Sequence, residues 1–154
     1  PKALKSFRGV KRRFSYKIKK NNLILIDDYA HHPTEINALH QAVTEMYPND
    51  KKQIVFQPHL FSRTKDFGNE FAESLSAFDE IILLDIYPAR EKPIAGITSN
   101  WLLKMIRNDS KVIAQKKQLS TLMKDSDCMV KLMVGAGDIG AEVDVVTKNL
   151  NYEN

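Results

Sequence analysis

The sequence predicts an α/β fold: a three-layer sandwich around a mostly parallel sheet of about six strands, with an antiparallel hairpin at the N-terminal edge. Three observations carry this. Segments such as "NLILIDD" and "EIILLDI" are continuously apolar rather than alternating, as in strands covered on both faces. Amphipathic segments of helical period separate them. The polar residues able to do chemistry cluster just after the apolar segments, at the carboxyl ends where ligands of such sheets sit.

The elements follow in order. "RRFSYKI" alternates Phe14, Tyr16 and Ile18, and "NLILIDD" follows after Lys19, Lys20, Asn21 and Asn22, so the pair reads as a hairpin. "PTEINALHQAVTEMY" carries Ile36, Leu39, Val43 and Met46 on one helical stripe, with Pro33 suited to the first turn. "KQIVFQP" is a buried strand. "SRTKDFGNEFAESLSAF" reads as one helix with Phe67, Phe71, Leu75 and Phe78 on one side. "EIILLDI" is the next strand, and "TSNWLLKMIRN" a helix capped by Thr98 or Ser99. "KVIAQ", "LSTLMKDS" and "CMVKLMVGAG" read as strand, short helix and strand. "DIGAEVDVVTKNL" closes the chain with Ile139, Val143, Val146 and Leu150 on one face.

The 154 residues fit one domain, with 43% apolar and 27% charged residues. No apolar run approaches the roughly 20 residues of a membrane span, and no signal peptide is visible. A chain beginning at Pro1 is expected to start inside a longer gene product. The one cysteine, Cys128, has no intrachain partner, which points to a reducing compartment and a buried structural role. Much of the net charge of +4 lies early, from Lys2 to Lys20. The lysines there read as a solvated face. Arg12 and Arg13, beside an apolar strand, are less bland members of the group.

Four strand ends form one candidate rim: "DDYAHHP", "QPHLFSRT", "DIYPAREKPIAG" and "GAGDIG". The last matches G-x-G-x-x-G, but no strand with an acidic end follows it, so close packing of the last strand and helix is the favoured reading. The phosphate-loop signature G-x-x-x-x-G-K-[ST] is absent, so phosphoryl chemistry would need another domain. His31, His32 and His59 beside Asp27 and Asp28 lack metal-ligand spacing, and no metal site is expected. There is no G-x-S-x-G elbow. His40, mid-helix, reads as structural or exposed. Arg63 and Arg90 follow strands on the rim, where a guanidinium can clamp a carboxylate or phosphate; the alternative is a surface ion pair with Asp66 or Glu91.

The stretches "FRGVKRRF", "DDYAHHPTEI", "FQPHLFSRT", "YPAREKPIAG" and "GAGDIG", in this order and over almost the whole chain, resemble the C-terminal domain of the Mur ligases. "FQPHLFSRT" resembles the L-alanine-adding branch more than the murein tripeptide branch. The resemblance implies a Rossmann-like domain, with residues 1–12 a linker from a central domain, 13–150 the domain and 151–154 a tail. It implies part of a cytoplasmic, ATP-dependent ligase of peptidoglycan synthesis that joins L-alanine to UDP-N-acetylmuramate through an acyl phosphate. Mg2+ would be held mainly by the central domain, and the UDP-sugar by an N-terminal domain. The isolated domain would be inactive and hold no ligand, with neither nucleic acid nor membrane as partner.

By position, Asp28 resembles the family's contact to the ATP ribose, Arg13 an arginine near the phosphates, and Tyr29 a neighbour of the adenine. His31, His59 and Arg63 resemble the group facing the amino acid and the reacting carboxylate, with His31 and Arg63 as catalytic residues. Arg90 joins His59 and Arg63 as substrate-binding. Arg13, Arg63 and a protonated His59 would ease repulsion in a crowded anionic site. Leu60 stands where some members carry a second arginine, so Arg63 or another donor must serve alone. Two rivals remain: a murein tripeptide ligase with the same domain, and a non-catalytic nucleotide or nucleic-acid module using the basic N-terminal stretch.

Overall fold

A computed structural model describes residues 11–152. Its sheet has six strands in the order β1-β2-β6-β3-β4-β5: β1 (Ser15–Lys20), β2 (Leu23–Asp28), β3 (Lys52–Phe56), β4 (Glu80–Leu83), β5 (Lys111–Ile113) and β6 (Val130–Val134). Only β1 is antiparallel, joined to β2 through Asn21 and Asn22; the other strands run parallel. The helices are α1 (Pro33–Met46), α2 (Phe61–Asp66), α3 (Gly68–Ser76), α4 (Ser99–Met105), α5 (Leu119–Asp125) and α6 (Ile139–Asn151). The three-layer expectation holds. Among the described residues no helix is long and apolar enough to cross a membrane.

The central strands β2, β3, β4 and β6 are largely apolar because each feeds two cores. Ile24, Ile26, Ile54, Phe56, Ile81 and Leu83 point to one face, against Ile36 and Val43 of α1, Phe71 and Leu75 of α3 and Leu102 of α4. Leu23, Leu25, Val55, Ile82 and Met133 point to the other, against Leu119 and Met123 of α5 and Ile139, Val143 and Val146 of α6. Successive strand residues thus alternate between two buried layers. Cys128 is buried, and that burial pushes its thiol above the ordinary value. His40 is half-buried against the Phe78 ring.

The structure departs from the sequence expectation in four places. The register shifts between Tyr16 and Ile18, a bulge that sends Phe14 and Tyr16 to the first core and Ile18 to the second. Met46 is exposed, so the α1 stripe ends at Val43. The helix expected across residues 62–78 is two. Phe67 leaves helical geometry (φ −114°, ψ 23°) and sets its ring 4.7 Å from that of His32. Trp101 of α4 packs where a Cβ on Gly68 would stand. Finally, Arg12, which the sequence reading places at the end of a linker, is bonded into the fold. Residues 1–10, most of the expected linker and the start of the basic stretch, lie outside the described residues. Of the described basic residues, Lys17 pairs with Asp144 and Lys19 lies over the Tyr16 ring.

Arg12 joins three elements. Its Nε donates to both carboxylate oxygens of Asp27 at 3.1 and 3.2 Å, and Nη2 donates to the Gly135 carbonyl at 2.8 Å. Its own carbonyl accepts from the Tyr29 amide at 2.6 Å. A Cβ on Gly140 would stand 2.7 Å from Nη1, so glycine lets α6 approach the guanidinium. Arg12 itself sits at φ 61°, a conformation that must be held by such bonds.

Asp27 is 2% exposed. Burial pushes its carboxyl above the ordinary value, and Arg12 pulls it back down. A carboxyl raised by folding costs stability once pH climbs past it, and Arg12 limits that cost. Arg12→Ala is therefore expected to lose about 3 kcal/mol at neutral pH, since it strands a buried charge. The loss should shrink as pH falls and Asp27 takes up a proton. Urea denaturation at neutral and acidic pH checks both the size and the sign.

Candidate active site

The carboxyl ends of β2, β3, β4 and β6 form one rim, and the sequence pattern of each end explains its shape. After β2, the Asp28 carboxylate folds the chain back on itself: Oδ2 accepts from the Phe14 amide at 2.7 Å and Oδ1 from the Ala30 amide at 2.8 Å. Each oxygen keeps a second lone pair for a ligand. Tyr29, 42% exposed, projects beside it with the Arg12 guanidinium 5.4 Å from its ring centre. Arg13, Phe14, Asp28, Tyr29 and Glu35 line a cleft of about 330 Å³, closed from below by Ala38 and Leu39 of α1. The three residues expected at the nucleotide, Arg13, Asp28 and Tyr29, thus line one largely apolar cleft.

The adjacent histidines have different duties. His32 is the N-cap of α1: its Nδ1 accepts from the Thr34 amide at 3.3 Å, and Glu35 returns a carboxylate to the His31 and His32 amides at 2.8 and 3.0 Å. This is a capping box with histidine in the cap position. Burial pushes the Glu35 carboxyl up, but the His31 and His32 bonds outweigh it and hold it below the ordinary range. His31 instead turns its Nδ1 to the Tyr29 carbonyl at 2.9 Å. A carbonyl only accepts, so Nδ1 carries the proton and Nε2 of the neutral ring is an acceptor.

His59, after β3, completes the second half of the site. Its ring centre is 6.2 Å from that of His31 and 5.5 Å from Tyr87, on which it stacks. Arg63 Nη1 lies 3.4 Å from His59 Nδ1. The guanidinium can only donate, so the neutral His59 ring carries its proton on Nε2. Burial, then Arg63 and His31, hold His59 below the ordinary histidine value, with Glu91 opposing. Burial and the guanidinium beside it thus weigh against the protonated His59 expected from sequence. His31, His59 and Arg63 come together, then, as one acceptor and two donors. Among the described residues Arg63 forms no ion pair with Asp66 or Glu91. Arg90 is exposed on the loop after β4 and, among the described residues, makes no hydrogen bond or ion pair with this group.

The "GAGDIG" loop after β6 is a packing device. Gly135 adopts φ +148°, where a Cβ would meet the Gln57 carbonyl at 2.9 Å, and Gly137 lies against the Gln57 side chain and the Tyr87 ring. The first amide of α6 is taken by Gln57 Oε1 at 2.9 Å, and Asp138 by Gln57 Nε2 at 2.7 Å and by Lys116. The first amide of α6 is thereby already paired within the protein. Among the described residues no group of three or more His, Cys, Asp or Glu side chains is arranged to hold a metal ion.

Sequence reasoning missed Arg12, Glu35, Gln57 and Glu91 as builders of this rim. Glu35 carried a signal, three residues after His32, but histidine is not among the usual caps. Gln57 and Glu91 bond to partners 81 or 82 and 29 residues away, which no local pattern reveals.

Comparison with known proteins accords with this geometry. The profile of the family "Mur ligase, glutamate ligase domain" matches residues 12–138. The UDP-N-acetylmuramate--L-alanine ligase of Christiangramia forsetii is 65% identical over 152 residues, 99% of this chain and 34% of that protein. The crystal structure of UDP-N-acetylmuramate-alanine ligase from Thermotoga maritima superposes with a TM-score of 0.74 at 31% identity, over 99% of this chain and 33% of that one. A MurF ligase of Thermotoga maritima in complex with ADP shares the fold, with a TM-score of 0.63 at 16% identity over 97% of this chain and 33% of that one. The chain spans about a third of the length of these relatives. By profile, sequence and fold, this chain belongs to the Mur ligase family, as its glutamate ligase domain.

Proposed function

We propose that this chain is the C-terminal domain of a cytoplasmic, ATP-dependent amide ligase that joins L-alanine to UDP-N-acetylmuramate. One observation carries the reading: a cleft of about 330 Å³ lined by Arg13, Asp28 and Tyr29 adjoins the His31–His59–Arg63 group on a single rim. Similarity to L-alanine ligases at 65% identity supports the choice of branch. The linker from a central domain then ends before Arg12.

In this reading the UDP-N-acetylmuramate carboxylate takes the γ-phosphoryl group of ATP, and ADP leaves. The amine of L-alanine attacks the acyl phosphate, the amide bond forms, and phosphate leaves. Tyr29 and the apolar wall of the cleft take the adenine, Asp28 a ribose hydroxyl, and Arg13 the phosphates. Arg63 and the Nε2 proton of His59 hold the L-alanine carboxylate, a charge-assisted arrangement that offsets the anionic crowding. Arg90, exposed nearby, meets substrate only as the domains close. The L-alanine ammonium must lose a proton before it can attack, and His31 Nε2 is the acceptor within this group. Closure onto the other domains excludes water from these contacts. Magnesium, held mainly by the central domain, would supply charge neutralisation at the phosphates.

Three outcomes are expected of the full-length ligase. Phosphate release with ATP and UDP-N-acetylmuramate should depend on L-alanine; release with the murein tripeptide instead would assign the protein to that branch. Steady-state kinetics of Arg63→Ala should show the KM for L-alanine raised on the order of 10–100-fold, as expected for a lost charge-assisted bond of about 1.5–3 kcal/mol. Asp28→Ala should raise the KM for ATP about tenfold and also lower the melting temperature, because Phe14 and Ala30 lose their acceptor.

A further inference from the structure

Helix α2 is six residues long, carries Arg63, and has no side-chain cap from its own N-cap residue, Leu60. The amides of a first turn need partners. They find one 29 residues away: the Glu91 carboxylate accepts from the Ser62 amide at 3.0 Å and from the Ser62 hydroxyl, and it also receives the Phe61 amide. These bonds, led by the Ser62 hydroxyl, hold the Glu91 carboxyl below the ordinary range. A carboxylate at this end of a helix is favoured by the helix dipole as well.

The two loops involved are fastened at other points. The Leu60 amide donates to the Tyr87 carbonyl at 2.9 Å, and the Tyr87 amide to the Pro58 carbonyl at 2.8 Å. Each loop also holds one non-glycine residue in the left-handed region, Leu60 at φ 73° and Ala89 at φ 52°. Such conformations cost free energy and persist only where surrounding bonds impose them. Glu91 supplies those bonds at the start of α2, one turn before the guanidinium. Yet Glu91 does not pair with Arg63, so the guanidinium stays available for a ligand.

We propose that Glu91 is a positioning residue for amino-acid capture: its carboxylate caps α2 across the loops and so sets Arg63 against His59. This rests on the reading of Arg63 as the clamp for the L-alanine carboxylate. A merely structural carboxylate would affect melting, or all substrates alike; a positioning one acts on the amino acid alone.

The test uses the full-length ligase, with KM measured for L-alanine, ATP and UDP-N-acetylmuramate in Glu91→Ala, Glu91→Gln, Arg63→Ala and the Glu91→Ala/Arg63→Ala double variant. Glu91→Ala is expected to raise the L-alanine KM about tenfold and leave the other two within about twofold of the parent. Glu91→Gln, which retains one acceptor oxygen for the Ser62 amide, should recover part of the loss. The double variant should be no worse than Arg63→Ala, because the clamp is already gone. If Glu91→Ala does not fold, Ser62→Ala takes its place, with a rise in L-alanine KM of about threefold expected. An L-alanine KM unchanged in the Glu91 variants, or all three KM values raised alike, while Arg63→Ala raises that for L-alanine, overturns the positioning role alone. An unchanged L-alanine KM in Arg63→Ala overturns the clamp reading and the positioning role with it.

Discussion

The contact between Arg12 and the buried Asp27 carboxylate governs how the rest of the rim is arranged. A charge enclosed at the end of β2 requires a partner, and the guanidinium that supplies it also reaches the Gly135 carbonyl and lies against the Tyr29 ring. The residue that neutralises Asp27 therefore fixes the entry into β1, the turn after β2 and the loop after β6 together. Glycine at 140 is the complement of this arrangement, since α6 could not otherwise come so near. The cleft beside Asp28 has its shape because these three segments cannot move independently.

A second principle is visible around the site: its charged groups are divided between those that build and those left free. Asp27, Glu35, Glu91 and Asp138 are each committed to protein donors. His32 caps a helix. Arg13, Arg63 and Arg90 have no carboxylate partner among the described residues. Guanidinium groups left without a carboxylate partner on this rim suit anionic ligands. Burial and Arg63 hold His59 below the ordinary histidine value, so its neutral ring would offer a directed proton without adding charge.

Much of this was legible in the sequence because it is local. Continuous apolar strands announced two covered faces, and the residues after them marked the rim. The amphipathic period located α1 and α6, and the missing acidic strand after "GAGDIG" pointed away from a dinucleotide site. What could not be read was tertiary. The bulge between Tyr16 and Ile18 reverses a face without altering composition. At the break after Phe67, Gly68 lies against Trp101, 33 positions later. Arg12 resembled its basic neighbours until folding placed it against Asp27. The protonation of His59 depended on burial and on a neighbouring guanidinium, neither of which residue type alone reveals.

The most direct test is a structure of the full-length ligase with a non-hydrolysable ATP analogue, UDP-N-acetylmuramate and L-alanine, read for two distances. The account predicts the ribose hydroxyls at Asp28 and the L-alanine carboxylate at Arg63, each about 2.7–3.2 Å from its partner. A nucleotide lying outside the Arg13–Asp28–Tyr29 cleft, or an amino-acid carboxylate held by residues other than Arg63, would contradict it.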